Sequence, residues 1–534
     1  MTPITIYRRH RAGSASGFAV SVFVALALLV VLGYWMLSTS RPSGTAGDDS
    51  SRGSDSSASL FVYCAAGIRA PVEAVKADYE QRYGTAVQLQ YGGSNTLLSQ
   101  LEFSRTGDLF LAADDSYLRQ AVERGLVRET IPLAVMRPVI LVAGGNPKHI
   151  LGIDDLLRSD VRTALGNPDQ AAIGKKTREL LTASGHWERL QNQVTQTGVF
   201  KPTVPEIAND VKIGSVDAAI VWDTTAAQYK TLEAVRTVEL DAGTAQVAIG
   251  VLTSCQNPAR ALRFARFLAA RDQGLLVFQA DGFQTVAGDV WAEIPQLNFF
   301  CGAVNRRAVA SVIKTFEDRE GVQVNTVYNG CGILTAQMRS IHDQRQTAGF
   351  PDTYMACDRF YLDSVKEWFQ EDVDISDTEV VIAVPRGNPA KIHDLQDLTR
   401  PGIRVSLGQP DQCTIGVLTR EILQQENVYE AVMRNVATQT ATSAMLIPTV
   451  TTGAVDASLT YLTDTLAESD KVEAIRIPSA AARAIQPFAI SRTSDHKHLA
   501  RRFYQAISQA RDQFEDAGFH FRVPTTPRET QIAP

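Results

Sequence analysis

The sequence predicts an α/β protein built from two tandem copies of one module. Three observations carry this. The stretch GNPDQAAIGKKTRELL at 166–181 returns as GQPDQCTIGVLTREIL at 408–423, with ten of sixteen positions identical at an offset of 408 − 166 = 242. Within each copy, apolar runs of strand length alternate with helical patterns, the order of a parallel α/β sheet. The chain has 534 residues, too many for a single hydrophobic core.

The first copy opens on the buried-strand run Leu60 to Ala66, ending at Gly67. A helical pattern through Val72, Val75, Tyr79 and Tyr83 follows and closes at Gly84. A strand over 86–91 leads into Gly92-Gly93-Ser94-Asn95, where Ser94 or Asn95 is the natural cap of the next helix. Residues 108–114 read as a third strand, and a second lobe begins near Pro138. Gly166 and Pro168 form a turn feeding a helix, and such a turn leaves free backbone N–H groups where an anion can sit. Gly214 to Trp222 reads as a further strand, and 258–278 as helical.

The second copy keeps this order. Cys301 stands 237 residues after Cys64, Tyr328 stands 237 after Tyr91, and Gly387-Asn388-Pro389 repeats Gly145-Asn146-Pro147. A period near 240 is far beyond that of solenoid repeats, so these are whole domains. The expected organisation is a basic cytoplasmic segment over 1–17, a transmembrane anchor over 18–38, a flexible linker over 39–59, module one over 60–292, module two over 296–525, and a tail over 526–534.

The anchor rests on an uncharged run from Phe18 to Leu37 behind Arg8, Arg9 and Arg11. Twenty helical residues span about 30 Å, the thickness of a bilayer core. The basic flank places the remainder outside. A cleaved signal peptide is the competing reading; its apolar region is usually shorter, and no A-x-A-like site follows Leu37. Ser38 to Ser59 is too polar to bury a core and reads as a tether. A net charge of −6 and 7% aromatic residues give neither a basic field nor a stacking surface for nucleic acid. No nucleophile elbow, P-loop or HExxH motif occurs, so no catalysis and no cofactor is expected.

The ordered set YCAAG, YGGSNTL, DLFLAADD, GNPDQAAIG, GSVDAAIVW and a closing Gly-Phe pair resembles the molybdate-binding periplasmic proteins of ABC importers, over about 60–292 and again over about 296–525. The resemblance implies two tandem type 2 periplasmic-binding modules, each two-lobed with parallel or mixed sheets, closing over ligand about a hinge. It implies a tetrahedral oxyanion, molybdate or tungstate before sulfate-like ions, held by hydroxyls and backbone N–H groups, and an ABC permease as partner. Carried over, the ligand positions are Gly67, Ser94, Ile173, Val204 and Trp222, with Asn95 beside them. Gly67 stands where the family usually has Ser, and Trp222 replaces an aromatic hydroxyl, leaving an N–H donor at each. Their counterparts in module two are Val304, Cys331, Ile415, Ser443 and Tyr461.

Each of these residues also has a plainer role. Ser94 and Asn95 suit a cap, Trp222 a core, and Asp114 and Asp358 local caps or pairs, since a carboxylate repels an anion. Cys301, Cys331, Cys357 and Cys413 all map to strand ends or the helix-start turn of module two. Buried free cysteines are the leading reading; a soft-metal site is the sharper alternative, although no CxxC spacing supports it. The expected function is a membrane-anchored extracytoplasmic solute-binding protein. A ligand-sensing or interaction ectodomain without transport is the alternative.

Overall fold

The computed structural model describes residues 59–346 and 348–524. The predicted anchor, and all but the last residue of the predicted linker, lie outside these residues. Among the described residues no helix is long and apolar enough to cross a membrane.

Module one carries two sheets. The first has the strand order Gln284–Thr285, Val127–Met136, Ala245–Leu252, Leu109–Ala112, Leu60–Ala65, Val87–Gly92. Leu60–Ala65 pairs in parallel with both Val87–Gly92 and Leu109–Ala112, as the alternating pattern predicts. Ala245–Leu252 then returns antiparallel against Leu109–Ala112, which makes the sheet mixed. The second lobe holds Val199–Lys201, Thr163–Gly166, Ala218–Trp222, Pro138–Ala143 and Leu232–Val235 in that order. The chain passes between lobes at Arg137, between two strands, and again after Val235.

Module two repeats the plan with one change. A single 17-residue strand, Phe369–Pro385, runs through both lobes and joins their strands into one ten-stranded sheet. The cause is a proline. Val380, at the offset of 242 from Pro138, donates its N–H to Ala482 O at 2.9 Å. Pro138 has no N–H to give, so the ladder breaks there and module one divides into two sheets.

Each module has its own apolar core, one running from Leu60 to Phe283 and the other from Leu297 to Phe521. Between them lies a buried ionic cluster. Glu320, 2% exposed, accepts from Arg502 Nε at 2.7 Å and Nη2 at 3.1 Å, and from Arg266 Nη1 at 3.1 Å. Arg266 belongs to module one and the other two to module two. Burial alone would raise the Glu320 carboxyl, but the charges and hydrogen bonds of the two arginines hold it below its ordinary value. Asp289 adds a second tie by accepting the backbone N–H groups of His498 and Leu499 at 2.9 and 3.0 Å.

Candidate ligand-binding site

Strand ends build the crevice of module one. Leu60–Ala65, Val87–Gly92, Thr163–Gly166 and Val199–Lys201 each lead into a helical segment that starts at the gap between lobes. Ligands of open α/β sheets lie outside such C-terminal ends. The first turn of each helix has N–H groups without intrahelical partners, and its dipole favours negative charge. The gap between the lobes is narrow and open to solvent. Its wall is Ala65, Ala66 and Gly67 on one side, Gly92, Gly93 and Ser94 on the next, with Ala113 below. The second lobe contributes Ala171, Ala172, Thr203, Val204 and Trp222. None of these side chains is ionisable.

Gly67, Ser94, Val204 and Trp222 are thus brought to one place, as the resemblance implies. Ser94 Oγ accepts the N–H of Ala113 at 3.2 Å, which leaves its hydroxyl hydrogen for an acceptor in the crevice. Trp222 is fully buried, and its Nε1–H has no hydrogen-bond partner. A buried donor left unpaired is rare in folded proteins and needs an explanation. Its Cδ1 atom would lie 3.6 Å from a Cβ on Gly67, so the donor edge of the indole faces the crevice wall.

Two expectations are corrected. Ser94 is not a cap: Gly93 takes that position with φ −70° and ψ 145°, and Ser94 is the first helical residue. Glycine is required there because a Cβ would stand 2.3 Å from Gln170 O and 2.7 Å from Pro202 O of the facing lobe. Asn95 does not line the crevice. Its Nδ2 donates across the gap to Asp169 O at 2.7 Å and its backbone N–H to Gln170 O at 3.2 Å, so it ties the lobes together. Ile173 is buried with its side chain packed under Gly166; only its backbone belongs near the helix start. Asp114 caps the helix Asp115–Glu123 by accepting from Ser116 N at 2.9 Å, and it pairs with Lys176 of the other lobe at 3.3 Å. Ala65, Ala66, Gly92 and Ala113 were not singled out as site residues. Small residues at strand ends were the signal for them.

In module two the equivalent positions are all buried: Val304, Cys331, Ile415, Ser443 and Tyr461. Gly330 repeats the close approach of Gly93, with a Cβ there 2.4 Å from Gln412 O and 2.6 Å from Ala441 O. Cys331 opens the helix Cys331–Asp343 as Ser94 opens Ser94–Ser104, and Cys357 donates its N–H to Cys331 Sγ at 3.0 Å. Ile415 sits in the first turn of Thr414–Gln425, and the Tyr461 hydroxyl is buried without a partner. Asp358 caps its helix through Phe360 N at 3.0 Å. Among the described residues no group of three or more His, Cys, Asp or Glu is placed to hold a metal ion. Cys301 Sγ turns to Gly302 O at 3.7 Å, and Cys413 Sγ to Gln409 O at 3.5 Å and Thr440 O at 3.6 Å.

Known proteins resemble the chain over one module's length. A Haemophilus influenzae protein named as a binding protein is 29% identical over 228 residues, covering 42% of this chain and 91% of the relative. The molybdate-binding protein ModA of Mycobacterium tuberculosis is 29% identical over 205 residues, 37% of this chain and 74% of the relative. The periplasmic molybdate-binding protein of Azotobacter vinelandii aligns with 42% of this chain and 98% of its own, at 18% identity and a TM-score of 0.37. The profile of one family matches residues 60–284 and again residues 297–520. The chain therefore belongs to the bacterial extracellular solute-binding proteins, whose domain it carries twice in tandem.

Proposed function

We propose that module one binds a tetrahedral oxyanion, molybdate or tungstate before sulfate-like ions, as the substrate-binding component of an ABC-type importer. Residues 18–38 anchor the chain in the membrane, both modules face the extracytoplasmic side, and an ABC permease is the partner. The protein binds and releases its ligand without chemistry. The observation that carries this is the crevice of module one: helix starts, the Ser94 hydroxyl and the orphaned Trp222 Nε1–H meet at one gap with no charged side chain. A dehydrated dianion requires several convergent donors, because an unpaired buried charge costs many kcal/mol. Gly67 and Val204 contribute backbone N–H groups, and Ile173 that of the facing helix start. The relatives named for molybdate binding support the same ligand class.

Module two is read as having left this function. Val304 puts a branched apolar side chain where module one has Gly67, and Cys331 puts a weak donor in place of the Ser94 hydroxyl. Ser443 and Tyr461 supply hydroxyls at the remaining positions without restoring the set.

Calorimetry on the full chain tests the reading of module one. Ser94→Ala and Trp222→Phe each remove one donor to the anion and are expected to weaken molybdate or tungstate binding by roughly 1.5–3 kcal/mol, the range for a hydrogen bond to a charged group. Unchanged affinity in both variants, or no binding by the parent chain, would sink it.

A further inference from the structure

Module two differs from module one at three touching positions, and the three changes fit one another. Cys331 stands for Ser94, Cys357 for Ala113, and Gly302 for Ala65. The two sulfurs lie 2.9 Å apart, and both residues are buried. A Cβ on residue 302 would come within 2.3 Å of Cys357 Sγ and 2.8 Å of Cys331 Sγ. The alanine of module one would therefore exclude the second sulfur, and the glycine of module two admits it. Neither cysteine is isolated: the pair is seated by a backbone that has been cut back to hold it.

The site also sets the chemistry of its sulfurs. Cys331 Sγ sits at the start of a 13-residue helix, accepts the backbone N–H of Cys357 at 3.0 Å and lies within hydrogen-bond reach of Cys357 Sγ at 2.9 Å. Burial opposes ionisation, but the hydrogen bonds at Cys331 Sγ outweigh it and draw the Cys331 thiol below its ordinary value, while the hydrogen bond with Cys331 and burial push Cys357 above it. Cys331 is therefore the nucleophile and Cys357 the resolving thiol. Cys301 and Cys413 take no part; their sulfurs face backbone carbonyls.

We propose that Cys331 and Cys357 are a modification site of module two, closed to a disulfide by a small or protein disulfide of the oxidising space outside the membrane. Cys331 attacks one sulfur of the oxidant, forms a mixed disulfide and expels one thiol. Cys357 then attacks Cys331 Sγ and expels the second thiol. One S–S bond is made and one broken; the oxidant is reduced to two thiols, which carry away both protons. The bond joins the start of the helix Cys331–Asp343 to the end of the strand Thr353–Met355, across 26 residues of chain. It also removes the last S–H donor at the place where module one keeps a hydroxyl. The proposal is independent of what module one binds.

The test is a thiol count on the full chain, reduced and then exposed to glutathione disulfide, acid-quenched, unfolded and alkylated. The chain has six cysteines. The expected result is four alkylated thiols, with the peptides of Cys331 and Cys357 joined with loss of two hydrogens, and six again after reduction. Cys331→Ser should leave Cys357 alkylated, and Gly302→Ala should slow bridge formation at least tenfold. Six alkylated thiols in the oxidised parent chain would overturn the proposal. So would a bridge to any other cysteine, or a glutathione adduct on Cys331 that Cys357 does not resolve.

Discussion

Glu320→Ala is expected to destabilise the protein by about 3–5 kcal/mol, the cost of breaking a buried ion pair by removing one partner. The carboxylate is 2% exposed and is the shared anion for two guanidiniums that are 9% and 6% exposed. Its loss strands both. The two arginines do not share the benefit equally. Arg502 binds bidentately, and the Glu320 charge and hydrogen bonds overcome its burial to raise it above its ordinary value. Arg266 makes its contact through Nη1 alone, keeps Nε and Nη2 without partners, and is pushed down to about 10 by burial. The stabilising pair is therefore Glu320 with Arg502, and Arg266→Met should cost much less than Glu320→Ala. The pH dependence has a definite sign. The folded carboxyl titrates below its unfolded value of about 4.3, so its contribution is complete above about pH 5 and is lost as the pH falls through the folded pKa. Urea unfolding at pH 7 and pH 4 measures both effects. A loss under 1 kcal/mol at pH 7 would remove the cluster as the main tie between modules.

Gly93→Ala is expected to weaken anion binding by roughly a hundredfold, at the upper end of the ~1–3 kcal/mol that overpacking costs. The added methyl would meet the carbonyl oxygens of Gln170 and Pro202, which are backbone atoms of the facing lobe and cannot swing aside. The closed crevice must open or shift, and the donors of the second lobe leave the ligand. The variant touches no donor itself, so a full effect separates lobe closure from donor loss. Titration calorimetry with tungstate measures it. Affinity within threefold of the parent chain would mean that binding does not need these lobes in contact.

Much of this was legible in the sequence because it is local. Strand ends in small residues, Gly-Gly before a helix and the repeated Gly-x-Pro-Asp-Gln turn place the crevice without coordinates. The start of the second lobe near Pro138 was legible too, but that its missing N–H divides one module's sheet shows only beside the Val380 N–H bond to Ala482 O. What was hidden is non-local. Gly93 was passed over in favour of Ser94 as a cap because the reason for the glycine lies in two carbonyls 77 and 109 residues away. Asn95 reads as a turn residue until its partner Asp169 is brought across the gap. Glu320 lies 54 residues from Arg266 and 182 from Arg502, and nothing in their spacing pairs them. The cysteines mapped correctly to strand ends, but only the fold separates the touching pair from the other two. The exchange of Ala65 for Gly302 was the available clue.

We propose that one of the two related modules binds an oxyanion and the other does not. Equilibrium dialysis of the reduced full-length chain against micromolar molybdate, with bound molybdenum counted by mass spectrometry, tests it most directly. One molybdenum atom per chain is expected. None per chain would contradict the reading of module one, and two would contradict the loss of function in module two.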